Sequence, residues 1–135
     1  MDEITMLVSC VEYYSYLKNI PGHKVFTSFE RTGLLDTLLE SRAMFPEMDL
    51  GFYIGMIDGL TALESDSKEK AYAAYEERTA MLLEVLHKIA KKHHMDAREA
   101  CQMYYGSSIA EKVAEDMTGY YKKEPVEIFE AVEKE

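Results

Sequence analysis

The chain has 135 residues, a length that suits about one domain, with a hydrophobic fraction of 47% and a formal net charge of −10. Its apolar content, with ten tyrosines and five phenylalanines, excludes a disordered chain. The acidity argues against direct binding of nucleic acid or of an anionic membrane and favours a basic protein partner through electrostatic steering; the alternative is that it only keeps the protein soluble.

Apolar residues at helical spacing dominate the first half of the chain. Three helices are predicted, over residues 2–18, 23–31 and 34–45. The breaks between them fall at Pro21-Gly22, Gly33 and Pro46. In the segment 49–63 that follows, three glycines four residues apart share one face. We expect a buried helix that packs tightly through this glycine face, with a strand as the alternative.

The second half begins with the longest predicted helix, over residues 66–94, capped by 65–67. Its heptad-like seam is formed by Tyr72, Tyr75, Thr79, Leu82, Leu86, Ile89 and His93. Packing of this seam inside a bundle is favoured over a free coiled coil. Asp96 with Glu99 predicts a capping box, and Ser108 with Glu111 predicts a second one. With a last helix from Pro125, the fold class is an all-α helical bundle of about seven helices.

The cysteines and the absence of targeting signals bear on the compartment. Cys10 and Cys101 are far apart in apolar stretches, which indicates reduced, buried thiols rather than a disulfide framework. No signal peptide is recognisable at the start, and the apolar runs are shorter than the ~18 residues of a membrane span. We therefore expect a cytoplasmic protein that does not enter a membrane.

An internal repeat is indicated when the chain is shifted by 75 residues against itself. The apolar positions and helix lengths of residues 1–64 then match those of 76–135, although very few residues are identical. The match predicts two helical subdomains joined by the long central helix within a single all-α unit, 1–135. Chance similarity between two amphipathic bundles is the alternative.

Short motifs resemble a family of small bacterial helical domains of unknown function. In the first half they are Cys10, VFTSF at 25–29 and GLLDTL at 33–38; in the second they are Glu99-Ala100, Tyr104-Tyr105, Ser107-Ser108, TGYY at 118–121 and Ile128. The chain differs at Phe45-Pro46, where the relatives carry a Leu-His pair. Genes for such domains often lie beside a predicted ADP-ribosyltransferase-like protein. The resemblance therefore implies a neutralising partner of a toxin, with no catalytic residues to carry over.

Catalytic and metal-binding patterns are not recognised in the sequence. Its four histidines form no HExxH, CxxC or His-rich motif. Apolar surroundings would raise the pKa of either cysteine thiol and make it unreactive. Nucleophile-elbow, phosphate-binding and dinucleotide-binding motifs are also missing. We predict no catalytic, cofactor-binding or metal-binding residues.

The tyrosines are the most suggestive feature, because they occur in groups. Adjacent helical residues point about 100° apart, so at least one tyrosine of each group should reach the surface. Tyrosine is enriched at protein interfaces. The predicted contact residues for a protein partner are Tyr13, Tyr16, Tyr105 and Tyr121. The alternative is that each hydroxyl only reaches water from the edge of the core.

The favoured function is a non-enzymatic protein-binding module of antitoxin or immunity type, which masks a partner enzyme. That partner would be basic, or an enzyme encoded nearby. One rival is an acidic mimic that occupies a nucleic-acid-binding site. Another is a homodimeric scaffold or regulatory subunit that uses the heptad seam. An enzyme with an unfamiliar site is the third and the least favoured.

Overall fold

A computed structural model describes residues 1–60 and 72–135, and confirms an all-α helical bundle. These residues form eight α-helices: α1 Glu3–Lys18, α2 Gly22–Thr32, α3 Leu34–Met44, α4 Leu50–Leu60, α5 Tyr75–His93, α6 Ala97–Tyr105, α7 Ser108–Ala114 and α8 Pro125–Glu133. Two 3₁₀ turns, Asp116–Thr118 and Tyr120–Lys122, lie between α7 and α8. Segment 49–63 is thus helical as far as Leu60, and the strand alternative is wrong there. In the part of the chain so described, none of the helices is long and apolar enough to cross a bilayer.

Helices α1 and α5 form the centre of the bundle and pack against each other more extensively than any other pair. Helix α1 is buried around most of its circumference, and its buried residues include Met6, Leu7, Cys10, Val11 and Tyr14 of the stripe that its sequence pattern predicts. Each fully buried aliphatic side chain contributes about 1.5–3 kcal/mol to the hydrophobic term. Helices α2 and α6 cover this pair, while α4 packs on α1 and α8 packs on α5.

Helix α5 begins later than the sequence suggests. Residues Tyr72 to Ala74 are not helical, and the helix starts at Tyr75 without a side-chain cap. The predicted continuous helix over 66–94 is therefore wrong across residues 72–74; the proposed cap at 65–67 lies outside the described residues. Leu82, Leu86 and Ile89 of the heptad seam are fully buried in the bundle, so these side chains are not available to a dimer interface.

The helix termini in the second half follow local capping chemistry. Asp96 and Glu99 form the predicted capping box, with Asp96 Oδ1 accepting from Glu99 N at 2.9 Å and Glu99 Oε1 accepting from Asp96 N at 3.2 Å. For α7 the cap is Ser107 rather than Ser108, with Oγ accepting from Ala110 N at 3.3 Å. This helix ends at Ala114, because Glu115 has extended backbone.

The glycine face of α4 faces solvent, whereas the sequence analysis expected it to be buried. Gly51, Gly55 and Gly59 are all exposed, and a Cβ built on Gly55 or Gly59 would meet no atom of the described residues within 4 Å. The buried face carries Tyr53, Ile54 and Ile57. The prediction of tight packing through glycine is wrong, because the larger apolar residues on the other face bury far more surface.

Some helix boundaries in the two halves coincide under the 75-residue shift. Helices α2 and α6 begin 75 residues apart, at Gly22 and Ala97, as do α4 and α8, at Leu50 and Pro125, whereas α1 and α5 begin 72 residues apart. Helices α1 and α5 both end at a left-handed residue, Asn19 (φ 55°) and His94 (φ 53°). These are the two non-glycine residues with positive φ in the described chain. Common origin of the halves stays a prediction.

Candidate functional site

A surface groove between α1 and α5, lined also by Leu50 at the start of α4, contains several aromatic and hydroxyl side chains. Its volume is about 370 Å³. The described residues that line it are Ser9, Tyr13, Leu50, Tyr75, Glu76, Thr79, Ala80 and Leu83. We call it the tyrosine groove. It includes Tyr13, one of the predicted contact residues, and lies beside Tyr16, a second.

Two tyrosine rings, Tyr13 and Tyr75, line the groove, and a third, Tyr16, packs against them. Tyr13 and Tyr16 lie one turn apart on α1, and Tyr75 opens α5. The ring centroids of Tyr16 and Tyr75 are 4.5 Å apart in a stacked arrangement, and those of Tyr13 and Tyr75 are 5.4 Å apart. Such pairs contribute about 0.5–1.5 kcal/mol beyond their buried area. All three side chains are half-buried, so their positions are fixed while part of each ring faces solvent.

The groove carries one charged side chain among its described lining residues, Glu76. The Tyr75 hydroxyl donates to Glu76 Oε1 at 3.2 Å. Burial raises the pKa of Tyr75, as do this hydrogen bond and the negative charge of Glu76. Aromatic faces beside a carboxylate attract a cation through both the ring quadrupole and the negative charge. The groove is therefore chemically suited to a lysine or arginine side chain.

Tyr105 is not at the surface, and the expectation that it reaches a partner is wrong. Tyr104 and Tyr105 are only 1% and 6% exposed. Helix α6 contacts α1, α2 and α5, so side chains about 100° apart around it are both covered. The ring of Tyr105 stacks on Phe26 with centroids 5.1 Å apart.

A buried polar pair joins Tyr105 to α1. The Tyr105 hydroxyl donates to Oε2 of Glu12 at 2.8 Å, and Glu12 is 2% exposed. Burial raises the pKa of Glu12, although the positive charge of Arg78 and this hydrogen bond act in the opposite direction. Gly22 makes room for the carboxylate, because a Cβ there would lie 2.5 Å from Glu12 Oε2.

Arg78 connects the start of α5 to the segment after α7. Its Nε donates to the Val113 carbonyl at 2.9 Å, and its Nη2 pairs with Asp116. Tyr121, the remaining predicted contact residue, is half-buried with its ring centroid 5.5 Å from Arg78 Cζ. Tyr121 is not among the groove residues. Of the four predicted tyrosines, the structure therefore brings only Tyr13 and Tyr16 together.

Sequence reasoning missed Glu12, Arg78 and the role of Tyr75. A signal for Glu12 was present: it lies four residues after Val8 and three before Ser15, on the buried face of α1. Arg78 had a weaker signal, since it lies four residues before Leu82 on the apolar side of α5. Tyr75 was assigned to the heptad seam, and its position against α1 depends on tertiary packing.

The remaining titratable side chains lie mainly in structural contacts. Burial raises the pKa of both Cys10 and Cys101 to about 12, which makes these thiols unreactive. His87 Nε2 lies 2.8 Å from Asp2 Oδ2, and His93 Nε2 lies 2.7 Å from Glu133 Oε1. Within residues 1–60 and 72–135, no three His, Cys, Asp or Glu side chains are grouped as metal ligands.

Comparison with known proteins does not assign a family. No family model matches the chain, no curated protein is similar to it, and no solved structure matches its fold. The resemblance to small bacterial helical domains therefore rests on the short motifs given above. The function has to be argued from the groove and the charge of the protein.

Proposed function

We propose that the protein is a non-enzymatic protein-binding module of antitoxin or immunity type, which neutralises a basic partner enzyme by covering it. The observation that carries this proposal is the tyrosine groove, where the packed rings of Tyr13 and Tyr75 lie beside the carboxylate of Glu76 and Tyr16 stacks on Tyr75. The partner supplies a lysine or arginine side chain that enters the groove.

Packing within the groove supports a binding role. The rings of Tyr13, Tyr16 and Tyr75 hold one another in place, so little side-chain entropy is lost when a partner binds. Tyrosine also combines a large contact area with a polar tip. A lysine or arginine over these rings gains about 0.5–2 kcal/mol, and the upper end applies when the site is desolvated.

Charge supports a basic partner. The protein carries a net charge of −10, and complementary charge accelerates encounter with a cationic surface. The groove itself presents no lysine or arginine among its described lining residues. Binding would mask the partner sterically, so neutralisation needs no chemistry on this chain.

The neutralising role comes from the resemblance to domains encoded beside predicted toxins. It specifies the class of partner, an enzyme encoded nearby, whereas the groove specifies only how such a partner is held. The two parts are therefore tested by separate readouts: capture for binding, and loss of enzymatic activity for neutralisation.

The first test is a tagged pull-down from the native host at low and high salt, with mass spectrometry of the co-eluting proteins. The baits are the wild type, Tyr13→Ser, Glu76→Gln and, as a matched control, Tyr120→Ser in the second half. We expect one basic partner near one-to-one, weakened by high salt. The two groove variants lose about tenfold in affinity, while Tyr120→Ser binds like the wild type. The purified partner then loses activity at stoichiometric amounts of this protein.

Three results contradict the proposal in different ways. Equal capture by all four baits means that the groove is not the binding site. Capture without loss of partner activity removes the neutralising role but keeps the binding module. Absence of any partner, together with a clean dimer in solution, favours the homodimeric scaffold instead.

A further inference from the structure

Exposed apolar side chains are concentrated at one corner of the molecule, where α3 ends and α4 begins. Met44 is 71% exposed, Phe45 46% and Met48 41%. Met1, which is 43% exposed, is tied to α3, because its carbonyl accepts from Arg42 Nε at 3.2 Å and from Arg42 Nη2 at 3.1 Å. We call Met1, Met44, Phe45 and Met48 the methionine corner.

The backbone of this corner is held in place while its side chains face solvent. The Tyr53 hydroxyl donates to the Phe45 carbonyl at 3.1 Å, and the rings of Phe45 and Phe52 meet edge to face at 6.0 Å. A surface depression of about 470 Å³ is lined by residues 44–48. A fixed backbone with flexible thioether side chains suits a partner of variable shape.

The predicted 75-residue repeat offers a comparison for this corner in the second half of the chain. Shifting Phe45, Glu47 and Met48 by 75 residues gives Tyr120, Lys122 and Lys123. There Lys123 Nζ lies 4.6 Å from the Tyr120 ring centroid, so a cation covers the aromatic face. The corresponding position in the first half carries a methionine, and the corner is left apolar.

Carboxylates flank the corner along the chain. Glu47 lines the depression, and Asp2, Glu3 and Asp49 are exposed neighbours in the sequence. Arg42 keeps its positive charge while it donates to the neutral Met1 carbonyl, but these four carboxylates outnumber it. Burial would raise the pKa of Asp2, but hydrogen bonds from Thr5 and His87 outweigh it and lower the pKa to about 2. The apolar surface therefore has a negatively charged rim at neutral pH.

We propose that the methionine corner is a docking surface for an amphipathic helix of a partner protein, with an apolar face flanked by lysine or arginine. The apolar face packs on Met44, Phe45 and Met48, and the basic flanks pair with the surrounding carboxylates. Helices of this kind bind methionine-rich surfaces because the thioether side chains adapt to different apolar residues. This proposal does not depend on the tyrosine groove.

The test follows the methionine methyl groups by NMR in the full chain labelled with ¹³C-methyl methionine. The probe is a synthetic Leu/Lys amphipathic peptide of about 18 residues, or five helical turns. The control peptide has the same composition in an order that forms no apolar face. We expect the methyl signals of Met44 and Met48 to shift with the amphipathic peptide alone. The methyl signal of Met6, which is buried, should stay unchanged. The methyl signal of Met117, which is 89% exposed but lies outside the methionine corner, should also stay unchanged.

Substitutions distinguish peptide binding at the methionine corner from peptide binding at other surfaces. Met44→Gln combined with Met48→Gln is expected to weaken peptide binding at least about tenfold, whereas the equally conservative Met117→Gln leaves it unchanged. Tyr13→Ser in the groove also leaves it unchanged, so failure here and failure of the groove are distinguishable. Equal binding of both peptides, or shifts confined to Met117, overturns the proposal. Concentration-dependent shifts of Met44 and Met48 without peptide overturn it in favour of a second copy of this chain.

Discussion

The hydroxyl of Tyr105 donates a hydrogen bond of 2.8 Å to Oε2 of Glu12, across 93 residues of sequence and inside the core. It links α6 to α1 at a point where neither side chain reaches solvent. A buried carboxylate without such a donor is costly, so this bond is part of what fixes the position of α6.

Removing the hydroxyl should destabilise the protein. We expect Tyr105→Phe to lower the free energy of unfolding by about 1.5–3 kcal/mol, because it leaves the Glu12 carboxylate short of a hydrogen bond. Urea unfolding followed by circular dichroism measures the change. Tyr120→Phe, at a half-buried tyrosine, is the control and should stay within about 0.5 kcal/mol. Equal effects of the two substitutions would show that the Glu12 bond contributes nothing specific.

The buried Glu12 should make stability depend on pH in a defined direction. Burial raises its pKa above the ordinary 4.5, so between pH 4.5 and that higher pKa the folded protein holds a proton that the unfolded chain has released. Its contribution is therefore most favourable below pH 4.5 and is lost as the pH rises through the folded pKa. A glutamine at this position does not titrate, so the Glu12→Gln variant lacks this pH-dependent contribution.

Consequently, Glu12→Gln should become more stable relative to the wild type as the pH is raised from about 4 to 7. Unfolding in urea at several pH values measures the difference between the two proteins, in which the other titrating groups largely cancel. If the difference in unfolding free energy is constant with pH, or if it increasingly favours the wild type as the pH rises, the pKa of Glu12 is not raised in the folded protein.

Two glycines should respond to alanine with opposite signs. At Gly22 a Cβ would lie 2.5 Å from Glu12 Oε2 and 3.4 Å from Tyr105 Cε1, so Gly22→Ala should cost about 1–3 kcal/mol. At Gly55, within α4, the Cβ meets no described atom within 4 Å. Gly55→Ala should therefore stabilise the protein by about 0.5–1 kcal/mol through better helix propensity. Thermal and urea unfolding of both variants test this, and a shared sign would be inconsistent with the structure.

The two thiols should be inert in the native protein. With a pKa of about 12 for Cys10 and Cys101, on the order of one thiol in 10,000 is ionised at pH 8, and both are buried. We expect almost no reaction with a thiol-specific reagent under native conditions and reaction of two thiols in urea. Rapid labelling of the native protein would show that one of the helices α1 or α6 opens readily.

Local chemistry explains which structural features could be predicted from the sequence. The α1 stripe and the Asp96–Glu99 capping box depend on residues within a few positions of one another, and both are present. The glycines of α4 were placed on one face correctly, but spacing does not say whether that face turns inward. The start of α5 was missed because Ser and Asp residues upstream suggested a cap before the turn at Tyr72–Ala74.

The candidate site was only partly predictable, because it depends on contacts between distant segments. Tyr13 and Tyr16 could be selected from α1 alone, whereas Tyr75 joins them through the packing of α5. Tyr105 was misplaced because a short helix covered on several sides buries adjacent residues. The number of helices that pack around α6 cannot be deduced from the helical repeat of about 3.6 residues per turn.

The packing of α1 against α5 has a consequence for how the chain can be divided. Each is the first helix of its half, and each buries an apolar face against the other in the most extensive helix contact of the described residues. A fragment ending at residue 60 and a fragment starting at residue 72 would each expose that face and lose most of its stability. Mixed in equal amounts, the fragments should complement each other and recover helical circular dichroism that neither shows alone, so the halves would behave as the subunits of a covalently linked heterodimer.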